Sequence, residues 1–243
     1  MDETPNLEDA ISRRGALVKL GGLVATALGA GALAGKELFD ASDARAAATG
    51  PSAVASGLVS CVLSPEMTQG PYYVAGDKFR RNITEGKPGV PLHLQLLVLD
   101  VSTCRPLKGA SVDIWHCDAG GVYSETSVQN TESLTFLRGI QKTGENGVAL
   151  FTTIYPGWYT GRTVHIHVKV HLGGTTVHTG QLFFRDALTD VVYRRSPYNR
   201  RANRDTRNAT DSIFRNGGSR SLLALTRNGT GYVGKITMGV SRT

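Results

Sequence analysis

The sequence predicts an all-β protein, a single-domain sandwich with long irregular loops, and three observations carry that expectation. Short runs of alternating apolar and polar residues recur from Leu92 onward, turn residues punctuate them, and no long amphipathic helix pattern interrupts the series. The composition agrees, with 29 glycines among 243 residues and frequent valine and threonine. A chain of this length can bury a sizeable core as one domain.

Taken in order, Ser64–Val74 carries too many turn residues for a regular element and is expected to drape over the domain. Leu92–Val101 alternates well enough to form a first core strand. Cys104–Gly109 turns the chain into Ala110–His116, with Val112, Ile114 and His116 on one face. Gly120 and Gly121 make the next turn, Tyr123 follows at once, and the polar Ser124–Arg138 is expected as a loop. Asn146-Gly147 closes a hairpin-type turn into Val148–Ile154. Pro156-Gly157 turns again, a long strand covers Thr163–Leu172, and Gly173-Gly174 sends it back through Thr175–Phe184. Arg185–Gly218 is polar and irregular, with one short helix near Thr210–Phe214. Leu222–Thr226 and Tyr232–Val240 close the chain as a hairpin through Asn228-Gly229. Seven or eight short strands without long helices make a sandwich of the prealbumin/immunoglobulin kind.

The beginning of the chain differs. Arg13 and Arg14 precede a weakly hydrophobic, Gly/Ala-rich run from Gly15 to Gly35, the address read by the bacterial Tat export machinery. A membrane span of that length would need more transfer energy than glycine and alanine provide. Ala32-Leu33-Ala34 and Ala44-Arg45-Ala46 both fit a cleavage site. The expected organisation is therefore a signal peptide and linker over 1–46, an extension over 47–63, and the sandwich over 64–243. The product would be exported by a bacterial host to the periplasm, cell surface or medium. In such an oxidising setting one pair of the three cysteines is expected to bond. Cys117 lies beside His116 in an apolar run and suits a buried thiol, which leaves Cys61–Cys104; that cross-link would add about 3–4 kcal/mol on the chain-entropy account.

The formal charge of +7 could attract acidic molecules, but basic residues cluster only at Arg194–Arg207 and no nucleic-acid motif accompanies them. No nucleic-acid partner is expected, and a solvated, salt-bridged loop is the simpler account of that cluster. The Asn-X-Thr triplets at Asn82, Asn208 and Asn228 fit a glycosylation pattern that a bacterial host would not use.

The chemistry starts at His165 and His167. Spaced two apart among β-formers, they would project from one face of a strand and supply half a metal site. No carboxylate completes it, because the next acidic residue after His167 is Asp186. That argues against the ferrous two-histidine, one-carboxylate triad and against a cupin. Tyrosines instead stand at the neighbouring turns. Tyr123 and Tyr159 are candidates, with Tyr155 equally near the histidines, and a phenolate is a hard anionic donor suited to ferric iron.

At this point five segments in the same order resemble the intradiol ring-cleavage dioxygenases, the catechol 1,2- and protocatechuate 3,4-dioxygenase type. They are Gly109-Ala-Ser-Val-Asp-Ile-Trp-His116, Gly121-Val-Tyr-Ser124, Pro156-Gly-Trp-Tyr159, Arg162-Thr-Val-His-Ile-His167 and Gln181. Gly70-Pro71-Tyr72-Tyr73 resembles the approach loop to that family's active site, so Pro71 and Tyr72 become substrate-binding candidates. The resemblance implies a non-haem Fe(III) held by Tyr123, Tyr159, His165 and His167. It implies that Tyr159 yields its place to substrate, that Arg162 lies over the substrate ring, and that Gln181 orients intermediates. The implied reaction uses O2 to cleave a small aromatic diol between its two hydroxylated carbons, giving a muconate-type dicarboxylate. The family's long helical N-terminal region, found in the cytosolic catechol enzymes, has no counterpart here, so no oligomeric state is implied. The short segment between Tyr159 and Arg162 suggests an open pocket mouth. The rival reading is a non-catalytic, transthyretin-like extracytoplasmic binding module; the quartet with Arg162 discriminates, since such a module needs none of them.

Overall fold

The computed structural model describes residues 61–201 and 203–242. The expected signal peptide, and most of the extension over 47–63, lie outside the described residues.

Two sheets face each other. The first joins β1 (Pro91–Asp100) to β2 (Arg105–Pro106) and β5 (Val148–Ile154), both antiparallel, and to β9 (Gly231–Val240) in parallel, with β8 (Ala224–Asn228) outside β9. The second runs β4–β3–β6–β7, from β4 (Arg138–Lys142) through β3 (Ser111–Trp115) and β6 (His165–Leu172) to β7 (Thr175–Phe183), antiparallel throughout. Between them lies the core: Leu92, Leu94, Leu96 and Val98 of β1 meet Val112 and Ile114 of β3 and Ile166, Val168 and Val170 of β6, all fully buried. These positions recur every second residue, as a strand with one face on a core requires.

Among the described residues nine strands form where seven or eight are expected. The additions are the two-residue β2, inside the expected turn Cys104–Gly109, and β4, an Arg-Gly-Ile-Gln-Lys run whose pattern is too short and polar to announce a strand; its pairing with β3 makes it one. The irregular region also contains a helix, α1 (Asp186–Val192), besides the short helix α2 (Ser212–Arg215), whose N-cap Asp211 accepts from the Ile213 and Phe214 backbone N–H groups. In the basic loop, Arg204 pairs with Asp186 and Asp190, Arg207 pairs with Asp190, and Arg201 reaches the Trp158 carbonyl while lying over its ring.

The outer face of the second sheet is not left to water. The segment from Cys61 to Ile83 crosses it strand by strand. Ser64 N–H bonds Gly239 at the end of β9, Met67 N–H bonds Thr179 of β7, and Gly70 sits over the His167 ring of β6. Tyr73 then packs on Trp115 of β3, and Lys78 and Arg80 exchange backbone hydrogen bonds with Ile140 of β4. This strap begins at a disulfide between Cys61 and Cys104, in the turn after β1, while Cys117 is a buried free thiol. The cross-link closes a sequence separation of 43 residues. Replacing both cysteines by serine is expected to lower unfolding free energy by about 3–4 kcal/mol in urea titrations. An unchanged midpoint would show that the strap holds without it.

Candidate metal centre

On β6 the two-residue period sends Ile166 and Val168 inward and His165, His167 and Lys169 outward, beneath the strap. Both histidines are nonetheless about 2% exposed or less. His165 Nδ1 lies 2.6 Å from the Thr163 carbonyl oxygen. A carbonyl can only accept, so Nδ1 carries the proton and Nε2 presents its lone pair to the site. That Nε2 is 3.1 Å from His167 Nε2 and 3.1 Å from the Tyr159 hydroxyl. Trp115 stacks on the far face of His167, 4.9 Å between centroids and 4° from parallel, and fixes the ring plane.

The tyrosines arrive from two turns. Gly121, with φ of +85°, brings the chain against the Trp158 carbonyl oxygen, which a Cβ would approach to 2.2 Å. Only glycine permits that contact, and it docks the Tyr123 turn onto the Tyr159 turn. Tyr123 is buried and its ring lies 5.7 Å from that of Tyr159. Its hydroxyl lies next to that of Tyr159 but makes no well-formed hydrogen bond. Tyr72 covers Tyr123 in a stacked pair, centroids 4.3 Å apart. Pro71 is exposed at the rim. Tyr155 goes elsewhere: it is buried in the sandwich core against Phe184, with its hydroxyl 2.7 Å from Thr189 Oγ1. The end of β5 decides between the two tyrosines, because Tyr155 still faces inward while Pro156-Gly157 swings Tyr159 to the outer side.

Arg162 and Gln181 flank the cluster. Arg162 Nε donates to Asp211 Oδ2 at 2.8 Å and Nη2 to Gln181 Oε1 at 2.5 Å, while Gln181 Nε2 donates to the Thr68 carbonyl at 2.9 Å. Asp211 is missed by sequence reasoning; a lone aspartate 49 positions from Arg162 carries no signal. The same holds for Arg138, inside a stretch expected as loop, and for Trp115, read only as part of a motif.

Electrostatics fit neutral donors. Burial, then the neighbouring His165 and Arg162 charges, holds the His167 pKa well below its ordinary value. Burial, then Arg162, takes His165 down to about 3. Burial also pushes Tyr159 up to about 12 and Tyr123 well above its ordinary value. Such phenols ionise only if a strong positive charge joins them. His165 Nε2, His167 Nε2 and the Tyr159 hydroxyl thus meet within hydrogen-bonding distance, and the buried Tyr123 hydroxyl beside Tyr159 is left without a partner. The donor set suits a hard trivalent cation, and these four residues could hold one.

Comparison with known proteins places the chain among dioxygenases. The family model described as "Dioxygenase" matches residues 68–192. An intradiol ring-cleavage dioxygenase from Tetranychus urticae is 36% identical, with a TM-score of 0.70, covering 74% of this chain and 95% of that one. The dioxygenase domain of a dioxygenase–carbohydrate-binding fusion from Streptomyces sp. SirexAA-E is 31% identical, with a TM-score of 0.59, covering 75% of this chain and all of that one. Catechol 1,2-dioxygenase 1 of Acinetobacter lwoffii is 31% identical over 101 residues, 40% of this chain and about a third, 32%, of that relative's length. The fold and the site define a β-sandwich with a buried histidine–tyrosine cluster. The chain belongs to the intradiol ring-cleavage dioxygenase family.

Beyond the cluster, the same outer face carries Asp113, about 1% exposed, with neither carboxyl oxygen bonded. Burial, followed by the charge of Asp77, pushes this carboxyl up to about 7, against the pull of Arg138 and Lys169; Tyr73 also faces it. A carboxyl raised in the folded state stabilises fully below its ordinary value of 3.8, and that contribution is lost as pH rises through about 7. Asp113→Asn is therefore expected to raise the melting temperature at pH 8 and to converge with the parent near pH 4. Equal melting curves at pH 8 would refute it.

Proposed function

We propose that this protein is a non-haem ferric dioxygenase that cleaves a vicinal aromatic diol between its two hydroxylated carbons. The C–C bond breaks, both atoms of O2 enter the product, and a muconate-type dicarboxylate results. The observation that carries the reading is the convergence of Tyr123, Tyr159, His165 and His167, with no carboxylate among the described residues joining them. Bound there, Fe(III) would supply Lewis acidity and a template for a chelating diol.

The chain's own residues supply the rest. Tyr159 is the more exposed of the two phenols, half-buried where Tyr123 is buried. It is the one placed to take a proton at Oη from an incoming diol hydroxyl. Arg162, held from two sides by Asp211 and Gln181, keeps a fixed guanidinium where negative charge develops on the substrate, with no reorganisation needed during the reaction. Gln181 carries that constraint on to the strap through Thr68. Tyr72, with Pro71 at the rim, is proposed to wall the substrate side, since its ring also meets Tyr159 edge-on at 6.3 Å. Trp115 and the strap keep bulk water from the imidazoles.

The substrate is a small aromatic diol, and catechol, protocatechuate and hydroxyquinol types all suit the same donors. Export by the Tat pathway is part of the proposal, with residues 1–46 as the address and the sandwich over 64–243 as cargo. The Cys61–Cys104 bridge supports an oxidising destination, where such cross-links persist.

Iron-loaded protein is expected to be red-brown from tyrosinate-to-iron charge transfer and to change colour on adding a diol. Oxygen uptake with a panel of aromatic diols identifies the substrate. A colourless protein with full iron occupancy would overturn the proposal. Tyr159→Phe is expected to lower kcat by roughly 100-fold or more through loss of its proton acceptor, while leaving the melting temperature close to the parent's. Full turnover in that variant would remove Tyr159 from the mechanism.

A further inference from the structure

Four residues form one row across the second sheet. In register, Arg138 of β4 opposes Trp115 of β3, Trp115 opposes His167 of β6, and His167 opposes Gln181 of β7. All four are about 1% exposed or less. Gln181 ends the row at Arg162 on one flank of the cluster. Arg138 ends it on the other flank, and nothing in the mechanism above uses Arg138.

Its contacts are specific. Nε donates to Ser124 Oγ at 2.9 Å and Nη2 to the Ser124 carbonyl at 2.6 Å, directly after Tyr123 in the chain. Nη1 donates to the Tyr72 carbonyl at 2.6 Å, and the Tyr72 ring is the one stacked on Tyr123. Ser124 Oγ in turn donates to the Phe136 carbonyl at 2.7 Å, so the hydroxyl is held from both sides. One planar fork therefore reaches the chain beside Tyr123 and the residue lying on its face.

Burying a guanidinium is costly unless its donors and charge are matched. Here Glu125 approaches Nε at 3.3 Å, and Asp77 and Asp113 face the same charge. A loop could be tied down by a neutral amide at lower cost. What an amide or ammonium cannot do is satisfy three acceptors in one plane from one rigid group.

We propose that Arg138 is a positioning residue for Tyr123, clamping the Ser124 backbone and the Tyr72–Tyr123 stack so that the phenol oxygen faces His165, His167 and Tyr159. The inference rests on the ferric reading above and extends it to a residue outside the donor set. Arg138 touches neither substrate nor metal; it acts through Tyr123. Removing the fork frees the turn after Tyr123 and the strap over it at once. Folding survives where the sheet pairing of β4 remains, but the phenol no longer holds its place.

The test is the tyrosinate-to-iron absorption band, compared at equal iron loading. Arg138→Gln is expected to lower the band to the level of Tyr123→Phe, about half of the parent, and to weaken iron binding about 10–100-fold. Adding Arg138→Gln to Tyr123→Phe is expected to cost no further intensity, because both changes remove the same contribution. Arg138→Lys, which keeps the charge and loses the fork, is expected to fall between the parent and Arg138→Gln. Ser124→Ala removes the Nε contact and the Oγ bond to the Phe136 carbonyl while leaving the Nη1 and Nη2 contacts, and its expected smaller loss tests the clamp should Arg138→Gln fold poorly. A full-intensity band in folded Arg138→Lys and Ser124→Ala, or further loss in the double variant, would overturn the proposal. A parent protein with iron and no band would overturn the ferric reading instead, so the two failures are separate.

Discussion

The structure depends on one constraint, the two-residue alternation of β6. Ile166, Val168 and Val170 must face the first sheet to close the core, which forces His165, His167 and Lys169 onto the opposite face. Polar side chains on an outer face would ordinarily meet water. Here both faces of the strand are buried, so the chain must cover the second face with something other than a third sheet. The strap from Cys61 to Ile83 is that cover, and it crosses all four strands.

Covering polar residues with polypeptide carries a cost that appears in one place. Among the described residues, the buried side-chain polar atoms lacking a hydrogen-bond partner belong to Asp77, Asp113, Trp115, Tyr123, Glu125 and His167. All six lie on the outer face of the second sheet or in the segments over it. The sandwich core contributes none of these. Under the ferric reading proposed above, donor atoms kept free for a cation would not be satisfied internally, and the unmatched polar atoms are confined to this one wall. Arg138 and Arg162 bracket that wall from opposite flanks, and each is held in place by several contacts.

Much of this was legible in the sequence. Alternation located β1, β3, β5, β6 and β7 to within about two residues, a margin ordinary for element ends. The His165–His167 spacing announced a shared face before any fold was known. What escaped was context-dependent. Residues 138–142 become a strand only by pairing with β3, and α1 lies in a stretch whose charges look like a loop until Arg204 and Asp190 are seen to pair. Residue chemistry alone left Tyr155 and Tyr159 open as neighbours of the histidines, and the family resemblance favoured Tyr159. The turn at Pro156-Gly157 separates them by sending one into the core and the other to the site.

By itself, the sequence determined the kind of donor atoms and the strand that presents two of them, because side-chain chemistry and a two-residue period are local properties. The family resemblance favoured Tyr159 and Arg162; only the tertiary structure decided what buries the cluster and which further side chains, Arg138 and Asp211 among them, hold its surroundings. Those relations span 36 residues from Tyr123 to Tyr159 and 66 from Tyr72 to Arg138. At such separations no local periodicity connects the partners. They meet because sheet register and a strap fastened at Cys61–Cys104 bring distant backbone to one wall.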